Sequence, residues 1–242
     1  MSVYLDHIYI KPSETAYKEA FKYFQEILPE EIFVHGESDD PEMPWGGFYI
    51  YLKNGFFVEF LDPRVCAEAK KVGMSFSCLK EFRGNFLKLI NSSNEGKNLE
   101  NVALPEEEPM INICRLHEGD FLSTWGSEYS DLWYKEWGAQ IAKYSMLSPF
   151  GATSHIEVHT HENNHPSVSS HFNWIDPRIG GGESVMMPLQ SESTGLTFNY
   201  FSEGKELVLL DFELDEKVLK EFESDSFLVK FDEKCGRIII EL

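Results

Sequence analysis

Cysteine is scarce in this chain: the 242 residues hold four, Cys66, Cys78, Cys114 and Cys235. They are scattered and form no CxxC pair, which excludes a zinc ribbon and reads as reduced, mostly packing thiols. Basic residues are also few. Lys and Arg number 21 against 41 Asp and Glu, a formal charge of −20. A surface of that sign repels phosphate backbones, so no nucleic-acid partner is expected. No apolar run approaches the roughly 20 residues of a membrane span, so no membrane partner is expected either. The opening "MSVYLDHIYIKP" lacks the basic and then apolar stretches of a secretory signal, and a cytoplasmic location follows as the expectation. There is no GxSxG elbow and no Walker loop. "RIGGGES" has neither the spacing nor the strand-to-helix context of a nucleotide fingerprint.

What is present is the material of a large core: 42% hydrophobic and 14% aromatic residues. "VYLDHIYI" reads as a strand with Leu5, His7 and Tyr9 on one face and Ile8 and Ile10 on the other. Ser13 then caps a helix whose Tyr17, Ala20, Phe21, Phe24, Ile27 and Leu28 recur at helical spacing and which ends near Pro29. "EIFVHG" is a short strand. In "FYIYLKNGFFVEFLDP" two apolar runs flank Asn54-Gly55, the sequence of a type I′ hairpin. Residues 3–62 therefore read as strand, helix, strand, strand, strand.

The same order fits the next stretch. "VGMSFSCL" is a strand, residues 80–92 a helix, "PMINICRL" and "DFLSTWGSEY" strands, and "SDLWYKEWGAQIAKY" a short helix. The last third reads as mostly β: "SHIEVHT", "HFNWI", "SVMMPL", "LTFNYF" and "KELVLLDFEL", then a helix capped by Asp215, then a hairpin in "SFLVKFDEKCGRIIIEL". The expected class is α+β, with repeated βαβββ modules whose curved mixed sheets enclose a cleft, and a β-rich C-terminal third. The expected units are residues 1–62, 63–150 and 151–242.

Two polar residues stand in apolar company. His7 lies mid-strand, and Glu59 lies between Phe57 and Leu61 on one strand face. A carboxylate there is costly unless it is paired, exposed or bound to a cation. Imidazole with carboxylate suits zinc, iron, manganese or nickel. Further on, five of the eight histidines fall between His155 and His171. In "HIEVHTH" strand alternation puts His155, Glu157, His159 and His161 on one face. That comb reads either as a metal site or as the wet side of a half-buried strand.

"LDHIYI", a helix, then "GGFYIYLKNGFFVEFLDP" resembles the first module of the glyoxalase, bleomycin-resistance and extradiol-dioxygenase superfamily, the vicinal oxygen chelate fold. "GMSFS" and "TWGSEY" are similar to a bacterial glyoxalase-like family. The resemblance implies that His7 and Glu59 are metal ligands and that a second module adds two more. "VGMSFSCL" has no histidine, although "TWGSEY" offers Glu128. Alternatively "SHIEV" echoes "DHIYI" and "CGRIIIEL" echoes "NGFFVEF", which adds His155 and Glu241. Both sets stay open.

The function implied is a metal-dependent lyase, isomerase or dioxygenase acting on a small oxygen-rich substrate. A divalent ion (Zn, Fe, Ni or Mn) would be the Lewis acid, Glu59 or Glu128 the base, and Trp45, Tyr49, Trp125 and Tyr129 the aromatic walls. The alternative is a non-catalytic small-molecule-binding protein of the bleomycin-resistance type. The resemblance also implies modules that pair between chains, hence a homodimer.

Overall fold

The computed structural model describes residues 3–38, 44–78, 82, 84, 86, 99–102, 111–172, 175–189, 192–214, 220–232 and 234–242. Strands β1 (Val3–Ile10), β2 (His35–Glu37), β3 (Gly46–Tyr51), β4 (Phe57–Leu61), β5 (Val72–Cys78), β6 (Leu99–Val102), β7 (Ile111–Glu118) and β8 (Leu122–Tyr129) build one sheet in the order β2-β3-β4-β1-β5-β8-β7-β6. β1 runs parallel to β4, and β5 runs parallel to β8, while β1 and β5 meet antiparallel at the centre. Two units of the same strand order thus join back to back. The helix expected over 80–92 lies largely outside the described residues.

A second sheet takes β9 (Phe150–His161), β10 (Val185–Pro188), β11 (Ser193–Phe201), β12 (Leu207–Leu214), β13 (Phe222–Glu223), β14 (Phe227–Phe231) and β15 (Cys235–Glu241). Its order is β10-β11-β9-β12-β15-β14-β13. The fold is therefore α+β with two mixed sheets and a β-rich C-terminal region. Among the described residues no helix is long and apolar enough to cross a membrane.

Helix α1 (Glu14–Ile27) starts where Ser13 Oγ accepts from the Ala16 N–H. Its buried Ala16, Tyr17, Ala20, Tyr23 and Phe24 form one stripe at helical period. That stripe lies between the sheets: the Phe24 ring sits 5.7 Å from Phe48 and 5.6 Å from Phe60 on one side, and 5.9 Å from both Phe150 and Phe227 on the other. Helix α2 (Asp131–Trp133) continues through a π-helical turn, Tyr134–Gly138, into α3 (Ala139–Leu147), on the far face of the first sheet. Helix α4 (His165–Phe172) repeats the bridging role of α1. Phe172 touches Phe76 and Phe198, and His171 Nδ1 lies 3.1 Å from Thr124 Oγ1. A single turn, α5 (Pro177–Gly180), follows, capped by Asp176.

Three local expectations change. A bulge between Leu5 and His7 turns Leu5 into the core beside Ile8 and Ile10, leaving His7 and Tyr9 on the opposite face. The Asn54-Gly55 turn is not type I′, because only Gly55 takes positive φ (81°). Gly55 N–H bonds the Leu52 carbonyl and Asn54 Oδ1 accepts from Phe56 N–H, as in a longer loop ending in a left-handed glycine. "HFNWI" is not a strand where it is described: His171 and Phe172 close α4. The helix capped by Asp215 falls on undescribed residues 215–219, and Phe222 beyond it is strand.

One ion pair clips the sheets together. Lys71 Nζ lies 2.7 Å from Glu206 Oε2, and Thr160 Oγ1 and Asn164 Nδ2 donate to Glu206 Oε1 at 2.8 and 3.1 Å. Burial alone would raise the Glu206 carboxyl, but Lys71, Thr160 and the His161 N–H outweigh it and hold the group below its ordinary range. A depressed carboxylate adds stability above its unfolded pKa and loses it as pH falls through the folded value. Glu206→Gln should therefore cost about 1–2 kcal/mol near neutral pH, discounted for the partly exposed lysine. Urea denaturation of both proteins should show the gap closing below about pH 4.

Candidate functional site: an aromatic cleft over His7 and Glu59

The face of the first sheet turned away from α1 is lined by alternate residues of its central strands. β1 contributes His7 and Tyr9, β4 Phe57 and Glu59, β3 Tyr49 and Tyr51, β5 Ser75 and Ser77, and β8 Trp125, Ser127 and Tyr129. Register fixes this: Glu59 sits between Tyr9 and Tyr49, and Ser75 between His7 and Trp125. The segment from α2 to α3 covers part of the face. Trp133 stacks on Tyr129 at 3.8 Å and Tyr144 meets Tyr51 at 5.0 Å. A cavity of about 420 Å³ remains, with His7, Glu59 and Phe57 on its floor and Trp133, Trp137 and Tyr144 among its walls. Its π-helical turn is a feature common at functional sites.

His7 is held on three sides. Its ring stacks on Phe57 at 4.5 Å and meets the edge of Trp125 at 5.6 Å. Its Nδ1 lies 2.6 Å from Asp6 Oδ2, which also accepts from the Tyr129 hydroxyl. An ionised carboxylate only accepts, so Nδ1 carries the proton and a neutral ring keeps its lone pair on Nε2. Glu59 Oε1 accepts from the Trp45 indole N–H and, at 3.0 Å, from the Tyr49 hydroxyl. Burial first, and Glu59 second, pushes the Tyr49 phenol well up; burial and then Asp6 do the same to Tyr129. Both hydroxyls therefore stay protonated donors at neutral pH. The floor thus offers a fixed imidazole acceptor and a carboxylate within aromatic walls.

Of the residues expected at the site, His7, Glu59, Trp45, Tyr49 and Tyr129 line this cavity. Trp125 supports it through its contacts with His7 and with Tyr9, 5.5 Å away. Glu128 does not join them. It lies on the opposite face of β8, where both carboxylate oxygens are 3.0 Å from the Gly84 N–H. His155 and Glu241 belong to the second sheet, where His155 Nε2 lies 3.0 Å from Thr197 Oγ1 and Glu241 pairs with Lys205 at 2.8 Å. Nor are those two side by side: across β12, Glu241 is level with His159. Asp6, His35, Trp133, Trp137 and Tyr144 also serve the cleft. Of these only Asp6, adjacent to His7, carried a local signal, and the bulge is what makes it usable.

Among the described residues, other hollows include one of about 400 Å³ beside His35, Asp62 and Arg64 and one of about 270 Å³ behind Trp45. In the first, Arg64 is spent on Asp62. The second shares Glu59 with the cleft.

As a metal centre the floor of the cleft supplies His7 and Glu59, with His35 elsewhere on its lining, while the facing β5 and β8 positions present Ser75 and Ser127, 3.1 Å apart. Among the described residues no three His, Cys, Asp or Glu side chains form a group able to hold an ion. Protein zinc sites take three or four ligands from the chain, so His7 and Glu59 alone fall short of one. No protein-family model and no curated protein matches the chain.

Proposed function

We propose that the protein binds a small, flat molecule in the cleft of the first sheet, in the manner of the glyoxalase and bleomycin-resistance proteins its N-terminal module resembles. The observation that carries this reading is the pairing of an Asp6-anchored His7 with Glu59 on the floor of an aromatic cavity. Aromatic walls favour a ring stacked between them. Two acceptors on the floor favour a ligand bearing a hydroxyl or N–H. His7 Nε2 is also placed to take a proton from such a group, which makes proton transfer the chemistry the cleft is suited to. The back-to-back strand order of the two units supports the resemblance.

The second reading is a divalent-metal enzyme with Zn, Fe, Ni or Mn on His7 and Glu59. The Asp6 bond to His7 Nδ1 favours it, since ligating imidazoles commonly donate their other N–H to a carboxylate.

Calorimetry with 1-naphthol, a flat neutral donor, separates the readings. Saturable binding to metal-free protein, weakened about tenfold or more by His7→Ala and by Glu59→Ala, is the expected result. Binding that appears only after zinc, iron, nickel or manganese is added, and vanishes in the same variants, would favour the metal enzyme. Equal binding by all variants would remove the cleft from both accounts.

A further inference from the structure

The donors on the floor of the cleft are all turned inward. Glu59 Oε1 accepts from the Trp45 indole N–H and from the Tyr49 hydroxyl. Asp6 Oδ2 takes the Nδ1 proton of His7 and the Tyr129 hydroxyl. Each floor donor is thus spent on a carboxylate of the same site. What faces a ligand is the Nε2 lone pair of His7 and Glu59 Oε2, for which the described residues supply no hydrogen-bond partner. Such a floor accepts N–H or O–H groups and has no proton to offer a ligand's own acceptors.

The charge at the site also has one sign. Glu59 lies on the floor and Asp6 directly behind His7, and the His7 and Asp6 side chains are only 13% and 12% exposed. Among the described lining residues there is no Lys or Arg, and His7 and His35 are the only groups able to turn positive. Eight of those 15 lining residues are Trp, Tyr or Phe, so little in the walls screens the carboxylates. The rings hold one another in place: Trp45 stacks on Tyr49 at 5.6 Å, Tyr49 on Tyr51 at 6.1 Å, and Tyr51 meets Tyr144 at 5.0 Å. A carboxylate within apolar walls keeps a strong field, and aromatic rings add their own attraction for a cation. An anion would be repelled by both carboxylates and would find no donor on the floor. A neutral donor would use the acceptors and leave the field unused.

We infer that the ligand of the cleft is an organic cation: a flat amine, amidine or guanidine in its protonated form, its ring between the aromatic walls and its N–H groups on Glu59 and His7 Nε2. This rests on the cleft being a binding site and adds the charge of what binds there. Glu59, the one acidic residue in the described lining, is then the residue that sets specificity.

Three ligands on one skeleton test this: 1-naphthylmethylammonium, 1-naphthylmethanol and 1-naphthoate. Each is titrated into the full chain by calorimetry at neutral pH and about 0.15 M salt, where charges more than about 8 Å away are largely screened. The ammonium should bind at least about tenfold tighter than the alcohol, and the naphthoate more weakly than either. Glu59→Gln keeps an acceptor oxygen and loses the charge, so the ratio of ammonium to alcohol affinity should fall to about threefold or less. Glu157→Gln removes the same charge from the second sheet and should leave the ratio as in the parent. An alcohol bound as tightly as the ammonium, or a preference that survives Glu59→Gln, overturns the inference while the cleft stays a binding site. An equal fall in Glu157→Gln overturns it as well, because the preference would belong to the surface as a whole. Failure of all three ligands also overturns it, and if 1-naphthol is unbound too, the reading of the cleft falls with it.

Discussion

Replacing Phe24 with alanine is expected to remove about 3–5 kcal/mol of folding stability. The ring is fully buried and meets four phenylalanines, Phe48 and Phe60 from the first sheet and Phe150 and Phe227 from the second. Those neighbours belong to β-strands whose positions are fixed by ladder hydrogen bonds, so they cannot close on the space vacated. The loss is then the transfer term plus an unrelaxed cavity. Because Phe24 touches both sheets, the whole chain should feel the loss. Denaturation followed by tryptophan fluorescence, which reports Trp45, Trp125, Trp133 and Trp137 on the first-sheet side, should shift together with denaturation followed by circular dichroism. A shift confined to one probe would mean that the sheets fold separately and that α1 does not couple them.

Gly73→Ala should cost up to about 3 kcal/mol and damage the cleft as well. A Cβ at Gly73 would lie 2.0 Å from Tyr9 Cε1 and 2.4 Å from both Cδ1 and Cζ, inside the ring's own volume. Gly73 and Tyr9 are directly paired across β1 and β5, so the backbone cannot withdraw without breaking the central ladder. The ring must swing away instead. That undoes its stack on Trp125, which also braces His7. Both a lower melting temperature and a loss of 1-naphthol affinity of about tenfold are expected. A variant that is merely less stable, with affinity unchanged when folded, would show that Tyr9 and Trp125 do not position His7.

Much of the fold is legible in the sequence where one face of an element is buried. The stripe of α1, the two apolar runs of β3 and β4 on either side of Asn54-Gly55, and the terminal hairpin are all open in the sequence. What is not legible depends on partners distant in the chain. Nothing local in "VYLDHIYI" announces the bulge that sends Leu5 into the core and lets Asp6 reach His7. Glu128 reads as a cleft residue next to Trp125 and Tyr129 only until pairing with β5 and β7 fixes which face of β8 it occupies. "HFNWI" has strand composition, yet His171 and Phe172 are needed by α4 to bridge Thr124, Phe76 and Phe198. The comb in "HIEVHTH" does share one face, as its alternation implies, but Asn199, which lies 3.1 Å from His159, comes from a strand some 40 positions on. The echo of "DHIYI" in "SHIEV" falls on β1 and β9, in different sheets, and so does not bring His155 to His7.

The proposed function places a small ligand in the cleft over His7 and Glu59. The most direct measurement is a titration of a panel of neutral aromatic fragments, each with a hydroxyl or N–H, followed through the indole resonances of the five tryptophans. Saturable shifts of Trp45, Trp133 and Trp137, abolished by His7→Ala in a variant that keeps its fold, are the predicted result. Fragments that bind without moving those three resonances, or that move them equally in His7→Ala, would contradict the account.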